Sequence, residues 1–126
     1  MQTASLTSSD ITTLSLRQDI GHAIRAGRLV EAEAKLQVLA ELEPDSRALL
    51  VLQSMLGIRL GQVLDVVRRL NQLPDDAVPE MKALCLKLIG DPTWYGYATA
   101  LEDSPDPSIR KAMRGLLGRP EEVVGQ

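Results

Sequence analysis

Apolar residues recur along this chain at helical spacing, and Gly and Pro cut the pattern into short pieces. Leu14, Ile20, Ala23 and Ile24 form a first stripe, which Gly27 ends as a C-cap. Leu29, Ala32, Leu36, Leu39 and Ala40 form a second, stopped at Pro44. Asp45 or Ser46 can cap a third helix, which carries Leu49, Leu52, Leu56 and Leu60 and closes at Gly61. Val63, Val66, Val67, Leu70 and Leu73 follow and end at "LPDDAVP". A fifth stripe, Met81, Leu84, Cys85 and Leu88, runs to Gly90. Asp91-Pro92 and Asp106-Pro107 are start signals for two more helices, since Asp suits the N-cap and Pro the first helical position. The last of these carries Ile109, Ala112, Met113, Leu116 and Leu117. No stretch shows strand or hairpin patterning. The expectation is an all-α fold of seven helices joined by short turns.

The spacing of the turns adds a second level. Gly27 and Gly61 lie 34 residues apart, and Ala32 matches Val66, and Leu36 matches Leu70, at the same interval. A helix–turn–helix unit of that period is the tetratricopeptide period. The segment "AGRLVEAEAKLQVLAELEPDS" resembles the tetratricopeptide consensus in its turn Gly27, small Ala32, apolar Leu36 and terminal Pro44. Later units are less regular: Ser54 is small where helices approach closely, Val66 replaces the usual Ala, and Gly90 follows Gly61 by only 29 residues. The predicted architecture is a tetratricopeptide-like right-handed α-solenoid of about three helical hairpins plus a C-terminal capping helix. Its predicted boundaries are a disordered segment 1–12 and a single domain 13–117, with repeats 13–46, 47–76 and 77–104 and a capping helix 106–117. Residues 118–126 are predicted to be a flexible tail.

Composition narrows the chemistry. The 126 residues suit one domain, 44% are apolar, and the aromatic total is one Trp, two Tyr and no Phe. The core must therefore be aliphatic, which favours packed helices. A net charge of −3 gives no polycationic surface for nucleic acid. The first residues show no basic-then-apolar signal pattern, and the apolar runs are too short for membrane insertion. Those features point to the cytoplasm.

Candidates for catalysis are weak. His22, the single histidine, has no nearby nucleophile in sequence to activate and reads as a surface or interhelical residue. Cys85, the single cysteine, sits on an apolar face and reads as a buried structural thiol. "EDSPDPS" lacks the alternating ligands and central glycine of a calcium loop, and helix capping explains Asp106 better. Glu31, Glu33, Glu41 and Glu43 read as a solvated helix face. With no phosphate-cradling glycine motif either, the expectation is a non-enzyme without cofactor or metal.

In a tetratricopeptide stack the first helix of each pair lines the concave surface. That register puts Ile24, Val51, Met55, Ile58, Leu84 and Leu88 toward a groove, with Arg17, Arg25, Arg59 and Lys87 on its rim. An apolar groove with a basic rim suits an amphipathic helix bearing acidic residues. The competing reading packs these side chains against neighbouring helices or another subunit. The aromatic cluster "GDPTWYGYATALE" falls where the repeat register fails. Trp94 is therefore expected as a wedge against the capping helix, with Tyr95 pointing away, and Tyr95 and Tyr97 stay open to a partner-facing role.

Residues 81–117, "MKALCLKLIGDPTWYGYATALEDSPDPSIRKAMRGLL", carry a more specific likeness. Ala83, Leu84, Cys85, Leu86, Gly90, Asp91, Pro92, Trp94, Ala98, Asp106, Pro107 and Leu116-Leu117 match a leucine-rich helix with Cys, then "LGDPxW", then "DP" before a last helix. In these features the chain resembles the Hrp-type (HrpB/HrpK-like) apparatus proteins of bacterial type III secretion systems. It departs from them at Ile89, where Leu is usual, and at Tyr95, where a basic residue is common. The resemblance implies a non-catalytic part in the secretion apparatus and a fold related to tetratricopeptide-like chaperones of needle subunits. It implies a chaperone or assembly factor that binds a needle or inner-rod subunit; separately, a stack of two or three repeats exposes enough apolar surface for a homo- or hetero-oligomer. Two alternatives stand beside it: an envelope component on the periplasmic side that binds peptidoglycan, and a tetratricopeptide adaptor unrelated to secretion.

Overall fold

The computed structural model describes residues 8–119, and within them every regular element is helical: α1 (Ser8–Arg25), α2 (Leu29–Leu42), α3 (Arg47–Arg59), α4 (Val63–Asn71), α5 (Pro79–Leu88), α6 (Trp94–Leu101) and α7 (Pro107–Leu116). The protein is all-α, as the periodicity predicts. Where a single domain over 13–117 was expected, the chain divides into two compact units, one ending at Gly61 and one starting at Gln62. The segment expected to be disordered up to residue 12 is helical from Ser8 onward, and residues 1–7 lie outside the described residues. Of the expected tail, Gly118 and Arg119 are held in place, and residues 120–126 lie outside the described residues.

Helix ends follow the sequence signals. Gly27, Gly61, Gly90 and Gly118 adopt φ of +80°, +78°, +79° and +73°. At Gly27 the chain closes α1 with two backbone bonds, Gly27 N–H to Ile24 C=O at 3.1 Å and Arg28 N–H to Ala23 C=O at 2.8 Å. Gly90 and Gly118 repeat this pair of bonds at the ends of α5 and α7. This is the Schellman arrangement, which needs a left-handed residue at its centre. At the other polarity, Ser46 Oγ accepts from Leu49 N–H at 3.1 Å, and Asp106 accepts from Ser108 N–H at 2.9 Å and Ile109 N–H at 3.4 Å. Asp91 accepts from the Thr93 N–H at 2.9 Å and hydroxyl at 2.7 Å, shaping a turn that precedes α6 by three residues instead of capping the helix directly.

The first unit packs α1, α2 and α3 against one another. Its core is Ile20, Ala23, Ile24, Ala32, Leu36, Leu39, Leu49, Leu52 and Leu56, all aliphatic. Leu14, expected on the buried stripe, is 46% exposed, and Thr13 is buried instead. At 100° per residue, the face through Ile20 reaches back four and seven positions, to Leu16 and Thr13, and passes Leu14 by. Ser54 is buried, and its hydroxyl donates to Leu50 C=O at 2.8 Å, so a small polar residue fits the interior without an orphan group.

In the second unit α5 packs against α4, α6 and α7. Ala83, Ala98 and Met113 form a core cluster, with Trp94, Tyr97, Leu101, Ile109, Leu116 and Leu117 packed on it. The buried face of α5 is broader than its predicted stripe. It includes Lys82, whose ammonium reaches Pro74 C=O at 3.4 Å and Asp75 Oδ1 at 3.3 Å in the connection from α4. The stem is buried while the charge meets a carboxylate on an exposed side chain. Leu88, at the end of that stripe, is 54% exposed. The pairs matched at the 34-residue interval, Ala32 with Val66 and Leu36 with Leu70, are buried in both units.

Two glycine substitutions should move stability in opposite directions. Gly90→Ala forces a Cβ into left-handed backbone and should cost about 1–2 kcal/mol. Gly96→Ala, inside α6 where nothing lies within 4 Å of the added Cβ, should stabilise by up to about 1 kcal/mol. Urea midpoints at unchanged slope measure both, and effects of the same sign would contradict this account.

Candidate functional site

A cavity of about 560 Å³ opens between α1 and α3 in the first unit. Arg17, Gln18, Gly21, His22 and Arg25 line it from α1, at spacings that put them on one helical face, and Leu52 and Met55 line it from α3. Three side chains of the predicted groove and rim, Met55, Arg17 and Arg25, are thereby brought together. His22 is exposed on α1.

The other predicted groove residues divide. Ile24, expected at the surface, is 1% exposed and belongs to the three-helix core, because it lies on the α1 face that meets α2 and α3. Val51 and Ile58 are half-buried on α3. Leu84 and Leu88, half-buried and exposed respectively, belong to the second unit.

The rim cations have distinct attachments. Arg17 binds Glu43 through its Nε at 3.0 Å and through Nη2, so one of the acids read as solvated is a tertiary partner. Arg59 donates from Nη1 to Arg25 C=O at 3.4 Å, at the end of α1. Lys87 is engaged inside its own unit: its Nζ donates to Leu116 C=O at 2.6 Å and stands 4.3 Å from the centre of the Trp94 ring. It ties the last turn of α7 to the aromatic joint and offsets that helix's negative end. A rim cation was expected there; the nearby ring and carbonyl give its charge a closer use.

The aromatic cluster reads as a joint. Trp94 is half-buried on the α5–α6–α7 core cluster, as its wedge role predicts. Tyr95 is 49% exposed, and its ring stands edge-on to Trp94 at 5.6 Å. Its hydroxyl accepts from Arg119 Nη2 at 3.1 Å, while Arg119 Nη1 binds both carboxylate oxygens of Glu102 at 3.0 Å. The acids of "EDSPDPS" all have structural partners: Glu102 binds Arg119, Asp103 binds Arg114 at 2.7 Å, and Asp106 caps α7.

Cys85 is fully buried, and that burial pushes its thiol up to about 11. Burial disfavours the thiolate, so the group is a core residue and a poor nucleophile. The Thr93 backbone N–H, and then the Thr93 hydroxyl, hold the Asp91 carboxyl below the ordinary range. Among the described residues no group of His, Cys, Asp and Glu is placed to hold a metal ion, and no helix is long and apolar enough to cross a membrane.

Comparison with protein-family models, curated proteins and solved structures returns no match.

Cys85 should resist thiol reagents in the folded protein and react in one equivalent after denaturation. Because its folded pKa lies above the unfolded one, its contribution to stability is complete below about pH 8.5 and is lost as pH rises toward 11. Wild type should therefore lose more stability than Cys85→Ala between those pH values, measured by urea unfolding. Fast stoichiometric labelling of the native thiol would contradict the burial.

Proposed function

We propose that this protein is a non-catalytic component of a bacterial type III secretion system. It binds an apparatus subunit of the needle or inner-rod type and acts as its chaperone or assembly factor. The observation that carries this reading is the α1–α3 cavity: an apolar floor of Leu52 and Met55 beside Arg17, His22 and Arg25, with no carboxylate among its described lining residues. Such a surface suits one face of an amphipathic helix, whose apolar side chains enter while its acidic ones meet the rim. Met55 adds an unbranched, polarizable contact that adapts to the shape of its partner. Covering an apolar face of a self-polymerising subunit would delay its assembly, since exposed apolar patches associate.

Two further features support the assignment. The motif residues of the second half have the structural positions their chemistry calls for: Gly90 at a left-handed helix end, Asp106 at a cap, and Trp94 against the last helix. The 34-residue recurrence of Gly27 at Gly61, and of buried Ala32 and Leu36 at Val66 and Leu70, suits a tetratricopeptide-like solenoid. The site of action in this reading is the cytoplasm, where a subunit is held before export.

Co-purification from the native host, with secretion genes induced, tests the proposal. Wild type should bring down an apparatus subunit, and Met55→Glu should lose it while circular dichroism shows the same helix content. Capture retained by the folded variant would remove the cavity from the mechanism. Recovery on cell-wall sacculi in place of a subunit would favour the envelope role.

A further inference from the structure

Gly21 and Arg25 stand one helical turn apart on the cavity side of α1. A Cβ built on Gly21 would meet the Arg25 guanidinium, with Nη1 at 3.4 Å and Nη2 at 3.6 Å. The arginine therefore folds back along its own helix, over the bare backbone of Gly21, and its charge is presented within the α1–α3 cavity. Gly is a costly residue inside a helix, because it gives up backbone freedom and supplies no packing. The three nearest heavy atoms to the missing methyl all belong to Arg25.

The charge of Arg25 is also uncommitted. Arg17, its neighbour in the cavity, is neutralised by Glu43, whereas Arg25 meets Arg59 through its backbone carbonyl and not through its side chain. Among the described residues the Arg25 guanidinium has no carboxylate or hydrogen-bond acceptor. The negative end of α1 favours a cation in this last turn. That accounts for a basic residue at this position, but not for its fold-back over a glycine into a cavity floored by Leu52 and Met55.

We infer that Arg25, folded back over Gly21, is the receiving group for an acidic side chain of the bound partner helix. This rests on the reading of the α1–α3 cavity as the partner surface. The occupant is an amphipathic helix with an Asp or Glu beside its apolar face. Its carboxylate takes the guanidinium in a charge-assisted pair, and its apolar residues lie on Leu52 and Met55. The pair sets the register of the helix more than its total affinity, because it stands at the solvent-facing edge of the cavity.

Two fluorescein-labelled amphipathic peptides with the same leucine face, one carrying Glu beside it and the other Gln, test this by fluorescence anisotropy. Wild type should prefer the Glu peptide by about fivefold at low salt, and the preference should shrink in about 0.5 M NaCl. Arg25→Gln should abolish the preference while still binding the Gln peptide as wild type does. Gly21→Ala, whose methyl would only touch the flexible guanidinium, should stabilise the helix and keep the preference, and a preference lost in that variant would contradict the anchor. Met55→Glu should weaken both peptides. Equal affinities of wild type for the two peptides, or a preference that survives Arg25→Gln, overturn the carboxylate anchor and leave the cavity reading standing. Failure of both peptides to bind overturns the cavity reading and the anchor with it.

Discussion

Helices α1, α3, α5 and α7 each release their chain through one position in left-handed backbone, and each of those positions is glycine. Gly27 and Gly90 leave α1 and α5 through the same two backbone bonds, which satisfy carbonyls that would otherwise face outward unpaired. Everything else in each unit depends on that reversal. With only Arg28 between Gly27 and the start of α2, the aliphatic faces of α1 and α2 meet directly, and α3 then covers both. A side chain with a Cβ at these positions would strain the turn and displace the faces it aligns. The core is built from small and branched aliphatics because helices held this close leave little room for rings.

The exception shows what happens where the aliphatic pattern stops. At the start of α6, Trp94 takes up a place on the Ala83–Ala98–Met113 cluster, and its ring faces the Lys87 ammonium. That ammonium also holds the final carbonyl of α7, so one lysine joins three elements: its own α5, the ring of α6 and the end of α7. Arg119 does similar work just beyond α7, bridging Glu102 and Tyr95. Lys87, Trp94, Glu102 and Arg119 thus fasten the end of the last helix. The proposed partner surface lies in the other unit, between α1 and α3.

Helix number, helix ends and most of the core were legible in the sequence, since each rests on local rules: a 3.6-residue period, a glycine turn, an Asp or Ser cap. Thr13 in place of Leu14 was missed because a hydrophobic residue was favoured over the helical phase, which a count back from Ile20 would have supplied. Lys82 and Glu43 were missed for a different reason. A charged side chain reads as solvated unless its partner is known, and both partners come from elsewhere in the chain: Glu43 is met by an arginine 26 positions away, and Lys82 by an aspartate seven positions back in a loop. No periodicity within one helix reports such pairs.

The same division applies to the candidate site. By itself, the sequence determined that α1 and α3 carry apolar and basic residues at helical spacing, and that the helices end where glycine permits. Only the tertiary structure decided which of those residues turn inward: Ile24 went to the core, while Met55 and Arg25 came to line a cavity. It likewise decided that Arg17 is neutralised by Glu43, whereas Lys87 is drawn to a ring and a carbonyl. The physical reason is that burial and charge pairing are properties of two surfaces in contact. A stripe on one helix specifies a face, and the neighbour packed against it selects which residues of that face remain exposed.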